Sequence, residues 1–288
     1  MKIGLQVSDF TWPGGAPTLA ADLRRVAVAA EEAGFARVAV ADHLWQIPAN
    51  GGPESAMLEA YTTLGYLAAC TSRVELLTWV TAATYRAPAL LAKCVSTLDV
   101  LSGGRAWLGI GAGWFEEEAH GLELPFPPTA ERFARLEETL RICRQMWSDE
   151  DKRFDGEHFT LERTLDSPGP LRRPPILVAG GGERKTLRLV AQYAQACNLF
   201  ATPELERKLD VLREHCAAVG RDYDDIEKTV VLPMDPGPAG ENVEAILGEL
   251  QRLAALGIAH AHTRVLRAAE IAPLELFGDR IIPEAARF

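Results

Sequence analysis

The stretch "VAVADHLWQIP", residues 38 to 48, ends a strand-like apolar run in Asp42, His43 and, two places on, Trp45. Imidazole gives or takes a proton near neutral pH, so a histidine one step past a strand is a candidate general acid or base. The same position also suits a histidine that only hydrogen-bonds a neighbouring loop carbonyl. Trp12, Trp79 and Trp114 stand at comparable strand ends, so four of the six tryptophans gather at loop starts. Indole rings in such places line pockets or stack on flat ligands. Trp107 and Trp147, mid-strand and in a helix, read as core.

Two glycine turns add to this. "GIGAGW", with Gly111, Ala112 and Gly113, lacks the G-x-G-x-x-G spacing of a dinucleotide fingerprint. It is a tight turn that lets backbone approach a neighbour or a ligand. "VAGGGERKTLRLV" runs strand, three glycines, helix, with Arg184, Lys185 and Thr186 expected in the first helical turn. Backbone amides and a helix N-terminus hold a phosphate in this way, although the second glycine of a nucleotide P-loop is missing. His260 and His262 could share a strand face and a metal, but no acid or cysteine accompanies them. No metal is expected, and a metal-dependent hydrolase is the weakest reading of the chain.

The elements that must position these residues follow from periodicity. Strand-like runs at "KIGLQV", "RVAVAD", "VELLTWV", "RAWLGIGA", "ILVAGG", "CNLFA", "EKTVVLPM" and "HAHTRVL" alternate with helical stretches. Leu19, Leu23, Val26, Ala27 and Ala30 share one helical face. Met57, Leu58, Tyr61, Leu64 and Ala68 share another, as do Phe133, Leu136, Leu140, Cys143 and Trp147. Eight βα units without a glycine-rich phosphate turn after the first strand predict a (β/α)8 TIM barrel rather than an open doubly wound sheet. The rhythm breaks around residues 149–175, where "FDGEHFTL" reads as two short extended pieces about a turn, an excursion inserted before the second half. A single domain over 1–288 is expected, with a tail at 273–288 packed outside the barrel.

The chain has 288 residues, 48% hydrophobic and 24% charged, with 40 acidic against 30 basic side chains. That is the composition of a globular protein, and a net charge of −10 repels polyanions, so nucleic acid is not expected as a partner. No apolar run approaches the ~20 residues of a membrane span, and the N-terminus reads as a strand, so a cytoplasmic location is expected. Cys70, Cys94, Cys143, Cys197 and Cys216 are odd in number and widely spaced, and read as reduced core residues. Glu116, Glu117 and Glu118 read as a solvated acidic run.

Taken in order, "AEEAGFARVAVADHLW", "TYRAPALLAKCVSTLDVLSGGRAWLGIGAGW", "LPFPPTAERFARLEETLRI", "FDGEHFTL" and "PPILVAGGGERKTLRLVAQYA" resemble the luciferase-like monooxygenase superfamily, and within it the subgroup using the deazaflavin coenzyme F420. The resemblance covers nearly the whole chain. It implies a (β/α)8 barrel with an insertion before its second half. It implies His43 beside the reactive ring of the cofactor, and a bulge, often a non-proline cis peptide, at Trp79-Val80 against the ring's back face, with Thr81 following. Gly111, Ala112 and Gly113 then form the turn passing the cofactor, and Gly181, Gly182 and Thr186 its phosphate site. Asp42 is expected to hold the loop or the histidine tautomer, while Trp12, Trp45 and Trp114 wall the substrate. Two departures stand out: Gln195 replaces an acid after the glycine turn, and Trp114 stands where the sugar-phosphate dehydrogenases carry a carboxylate.

The expected activity is therefore hydride transfer between F420 and a small, largely apolar organic substrate. An FMN-dependent monooxygenase is the alternative, because the same barrel binds either ring. A cofactor-binding relative without catalysis is a third possibility, and a homodimer is an expectation by analogy.

Overall fold

The computed structural model describes residues 1–265 and 267–288. Strand β1 (Lys2–Val7) leads to helix α1 (Ala16–Ala33), β2 (Arg37–Val40), α2 (Ala60–Cys70), β3 (Glu75–Thr78), β4 (Thr81–Ala82), α3 (Pro88–Ser102) and β5 (Leu108–Gly111). A short α4 (Glu116–Gly121) and α5 (Thr129–Met146) follow, then a hairpin of β6 (Phe154–Asp155) and β7 (Thr160–Leu161). The second half is β8 (Ile176–Ala179), α6 (Thr186–Tyr193), β9 (Ala196–Phe200), α7 (Leu205–Ala218), β10 (Glu227–Val231), α8 (Val243–Ala255) and β11 (His260–Thr263), closed by α9 (Ala272–Leu276) and α10 (Ile282–Ala285).

The main sheet has nine strands in the order β3-β2-β1-β11-β10-β9-β8-β5-β4. All its pairings are parallel. β3 and β4 are one stave interrupted at the cis peptide Trp79-Val80. Leu76 receives a backbone hydrogen bond from Trp107 and donates one to Arg105, both at 2.9 Å, which joins the two ends of the sheet. The result is the expected barrel of eight staves, with nine strand segments because the third stave is broken.

Strand alternation divides the core in two. Outward residues such as Val38, Leu76, Leu108 and Val178 meet the helix faces, including the α1 stripe Leu19, Leu23, Val26, Ala27 and Ala30. α1 stops where Gly34 takes φ 92° and its N–H returns to Ala30 and Glu31. Inward residues Ala39, Leu77, Trp107, Leu177 and Ala196 form a smaller cluster with Trp79, Val80 and Ala179.

The barrel interior is unusually polar for a fold whose inner layers favour bulky branched residues. Arg37, fully buried, pairs with Glu75 at 2.7 Å and Glu227 at 2.6 Å and lies over the Trp107 ring. Above it His260 and His262 stack at 4.2 Å with planes 13° apart, and His262 stacks in turn on Trp79 at 4.3 Å. Gly4 makes room for this pair, since a Cβ there would run into both imidazoles. The two rings lie face to face, so their in-plane nitrogens do not converge on an ion. Among the described residues no group of three or more metal-ligating side chains comes together.

Several expectations shift. α2 begins at Ala60, so Met57 and Leu58 lie in the preceding loop: Glu59 caps the helix by accepting from the amides of Tyr61 and Thr62. α6 begins at Thr186, leaving Arg184 and Lys185 just before it. Cys70 and Cys94 are half-buried, unlike Cys143, Cys197 and Cys216. The last predicted strand stops at Thr263, and its expected final residue Leu266 lies outside the described residues. In the excursion, β6 and β7 pair antiparallel, and the Glu138 carboxylate accepts from the backbone amides of Glu157, His158 and Phe159 at their turn. Phe277 packs on Phe35 at 5.3 Å, bringing the C-terminal helices against α1. No helix among the described residues is long and apolar enough to cross a membrane.

Burial, reinforced for His260 by the Arg37 charge and for His262 by His260 and Arg37, holds both imidazoles well below the usual 6.5, hence neutral. The unfolded chain therefore binds protons below pH 6.5 that the folded one refuses, and stability falls as pH drops through that value. We expect the urea midpoint to decline between pH 7.5 and 5.5 by an amount equivalent to roughly 1 kcal/mol per histidine per pH unit below 6.5. A His260→Gln/His262→Gln protein should show a flatter profile, and an equally steep one would refute this assignment.

Candidate active site

A cleft of about 570 Å³ opens at the C-terminal ends of the staves from β2 round to β10. It brings together His43, Asp42, Trp79, Val80, Thr81, Gly111, Ala112, Gly113, Trp114, Gly181, Gly182 and Thr186, which sequence reasoning had singled out. It excludes Trp12 and Trp45 from that group.

The floor is set by a close approach between the third and fourth staves. The carbonyl oxygen of Thr78 occupies the space where a Cβ on Gly109 would stand, and Thr78 Oγ1 donates to the Gly109 carbonyl at 2.8 Å. A Cβ on Gly111 would lie 3.4 Å from Val80 Cγ2 and 3.5 Å from the Ala179 carbonyl oxygen. Gly113 takes φ 81°, open to glycine at no steric cost. Gly109 is thus the glycine that lets β5 lie against the third stave, while Gly113 lets the chain turn beside Ala82 and Thr84.

Asp42, 1% exposed, accepts from Thr81 Oγ1 at 2.6 Å and from both terminal nitrogens of Arg86 at 2.6 and 2.9 Å. Arg86 also reaches Glu59 at 2.6 Å and lies over the Tyr61 ring, whose hydroxyl hydrogen-bonds Thr81. Burial alone would lower the Arg86 pKa, but the hydrogen bonds and charge of Asp42 raise it further above its usual value. This network ties the ends of β2 and β4 to the start of α2.

Asp42 therefore does not hold the histidine. That role falls to Glu118, the residue sequence reading placed in a solvated run. Glu118 is fully buried and accepts from His43 Nδ1 at 2.9 Å, the Trp45 amide at 2.8 Å, the Leu44 amide and the Tyr85 hydroxyl. Burial pushes its carboxyl pKa up, but the hydrogen bonds from His43, Tyr85, Trp45 and Leu44 outweigh burial and hold it below the ordinary value. Tyr85 is displaced the other way, its phenol pKa raised first by burial and then by Glu118. An ionised Glu118 fixes the His43 proton on Nδ1, leaving Nε2 as the nitrogen available to the cleft. Trp114 and Phe115 set their rings edge-on to the imidazole at 5.5 and 5.7 Å. The signal for Glu118 lay in spacing: Phe115, Glu118 and Ala119, at i, i+3 and i+4, share a buried helical face, whereas Glu116 and Glu117 are exposed.

Trp45 packs its indole against Gly121, where any Cβ would strike the ring, so it locks the loop to α4 rather than walling the cleft. Trp12 lines a separate cavity between β1 and β11. Trp114 alone of the three tryptophans faces the cleft, and it is 61% exposed.

At the opposite rim, Gly180 (φ 123°), Gly181 and Gly182 curve over Thr186 at the start of α6. Gly180 is thus in a backbone conformation that favours glycine, and a Cβ on Gly182 would stand 2.8 Å from Thr186 Oγ1 and displace that side chain. Lys208 Nζ donates to the Gly181 carbonyl at 2.9 Å. Arg132, Thr129 and Phe133 at the start of α5 close this side, none of them anticipated. Arg132 donates to the Pro127 carbonyl and Thr129 Oγ1, its buried Nε has no partner, and among the described residues it meets no carboxylate. A glycine cradle beside a partly unpaired guanidinium suits an anionic group.

The family model for luciferase-like monooxygenases matches residues 1–269. The chain belongs to that family. It is 35% identical over 256 residues to an F420-dependent glucose-6-phosphate dehydrogenase of Kineococcus radiotolerans, covering 84% of this chain and 71% of that one. Further relatives of the same name are matched over roughly two thirds of their length. The fold is similar to an F420-dependent secondary alcohol dehydrogenase solved with an F420-acetone adduct (TM-score 0.80, 20% identity, 99% and 98% of the two chains). It is also similar to a monooxygenase of Streptomyces bottropensis (TM-score 0.82, 20% identity, 98% and 99%).

Removing the Glu118 carboxylate strands four donors. Glu118→Ala is expected to lower stability by about 3–5 kcal/mol, read from urea unfolding, with Glu118→Gln, which keeps the shape, losing less. A Glu118→Ala protein as stable as the parent would show that the cluster holds nothing in place.

Proposed function

We propose that the protein is an F420-dependent oxidoreductase that transfers a hydride between the coenzyme and a small organic substrate. The observation that carries this reading is one cleft holding four things together: the Trp79-Val80 bulge, the Gly111 to Gly113 turn, the Gly180 to Gly182 cradle with Thr186, and His43. The F420-dependent names of the relatives support it.

The glycine cradle, Thr186 and Arg132 fit the acidic end of such a coenzyme, and the bulge and glycine turn fit the two sides of a flat ring. When bound, the deazaflavin supplies a hydride pair without the ready oxygen reactivity of a reduced flavin. The chain's own residues handle the proton. His43 Nε2 takes the proton of a substrate hydroxyl or amine as the carbon beside it loses a hydride, and in the opposite direction the imidazolium returns that proton as the carbon gains the hydride. The ionised Glu118 stabilises that imidazolium, and the Tyr85 hydroxyl on the same carboxylate fixes its orientation. Asp42 and Arg86 keep Thr81 and the bulge in register, while Trp114 and Phe115 shield the imidazole from water. The exposed indole of Trp114 provides no carboxylate for a sugar, which argues for a substrate other than a phosphorylated sugar.

Equilibrium binding tests the cofactor assignment: oxidised F420 is expected to bind and quench tryptophan fluorescence, and FMN to bind more weakly. A preference for FMN together with oxygen consumption would replace hydride transfer by oxygenation. His43→Ala is expected to lower kcat by roughly 10²- to 10⁴-fold while F420 affinity stays within about threefold. Full turnover by that variant would remove His43 from the chemistry.

A further inference from the structure

The cleft draws on the staves from β2 to β10 and leaves β11 and β1 unused. Those two staves open, at the same end of the barrel, on a second cavity of about 270 Å³. The inward phase of β11, which holds His260 and His262, continues to Arg264, and that of β1 passes from Gly4 to Gln6. Arg264 and Gln6 both line the second cavity.

Arg264 is half-buried, and its guanidinium donates to Asn50 Oδ1, a neutral amide oxygen. Among the described residues it meets no carboxylate. Asn50 is itself fixed, donating to the Ser8 carbonyl at 3.1 Å and to Gln46 Oε1 at 3.2 Å. The loop that carries His43 thus also orients Arg264. The remaining charges are accounted for: Arg267 pairs with Glu270 at 3.0 Å, and Asp9 Oδ1 accepts the Thr11 amide at 2.9 Å. Leu5, Val7, Trp12 and Val265 supply apolar lining.

A guanidinium carries five donors in a planar fork, and with Asn50 as its side-chain partner Arg264 keeps donors free to meet an anion that enters the cavity. We propose that this cavity is the substrate pocket of the hydride-transfer site and takes a small organic acid, its carboxylate on Arg264 and its hydrocarbon body along Trp12 and Val265. The proposal rests on the reading that the cleft at the same end of the barrel holds the deazaflavin. A carboxylate matches the fork in a bidentate manner. Asp9, in the same cavity, repels the second negative charge of a phosphate monoester, so a carboxylate is favoured over a phosphate.

The test titrates benzoate, its neutral isostere benzamide, and phenyl phosphate into the full chain, with and without F420, by calorimetry. Benzoate is expected to bind about ten- to a hundredfold more tightly than benzamide. It should also bind more tightly than phenyl phosphate, and without displacing F420. Arg264→Met is expected to erase the benzoate preference while F420 affinity stays within about twofold. The proposal is overturned by equal binding of benzoate and benzamide, by binding of neither, by tighter binding of phenyl phosphate, by competition with F420, or by an Arg264→Met protein that keeps the preference. The comparison on the unaltered chain stands even if that variant fails to fold. F420 binding without a benzoate preference sinks this proposal alone, whereas a benzoate preference without F420 binding sinks the cofactor reading and leaves an anion pocket.

Discussion

A single buried carboxylate organises the candidate site. Glu118 gathers the His43 ring, two successive amides of the loop after β2 and the Tyr85 hydroxyl after β4, while itself sitting on the helix after β5. Three βα connections therefore meet on two oxygen atoms. Without that convergence the loop after β2 would have no reason to present His43 in one tautomer and one orientation. Burial of an ionised carboxylate is tolerable here because donors replace the water it has lost.

The second constraint is steric. β5 approaches the third stave closely enough that a carbonyl oxygen takes the place of a side chain at Gly109, and the same chain then turns past the cleft through Gly111 and Gly113. Asp42 and Arg86 lock the far side of this contact through Thr81. Beneath it, the column of Trp79, His262, His260 and Arg37 fills the barrel with flat rings and one guanidinium in place of branched aliphatics. The floor of the cleft is thus stacked on the barrel's own interior.

Much of the architecture was legible because periodicity reports burial against the nearest layer. The α1 stripe from Leu19 to Ala30 and the alternation of eight strand-like runs each follow from this local rule. What periodicity does not carry is which loop ends meet. Glu118 looked solvated because its two acidic neighbours are, and of the two roles expected for Asp42, holding the loop or the histidine tautomer, the contacts with Thr81 and Arg86 fit the first. Adjacent residues at a strand end face opposite ways, so Asp42 turns to Arg86 and His43 to α4. Trp12 and Trp45 were grouped with Trp114 by residue type and strand-end position, yet one lies in the cavity by β11 and the other against Gly121. Arg132 gave no signal at all, because its partners are a loop carbonyl and a threonine hydroxyl on its own turn.

The excursion between the barrel halves is pinned to α3 at several points. Asp166 accepts from Lys93 and Ser96, and Asp99 accepts from the amides of Leu171 and Arg172. Everything that orients the His43 imidazole lies before this segment in the chain, and the glycine cradle with Thr186 lies after it. The segment thus works as a buckle between two separately encoded half-sites. A chain cut there would leave one fragment with the proton-handling side chains and the other with the glycine cradle, and only their docking across the β5–β8 and β1–β11 seams would restore a complete cleft.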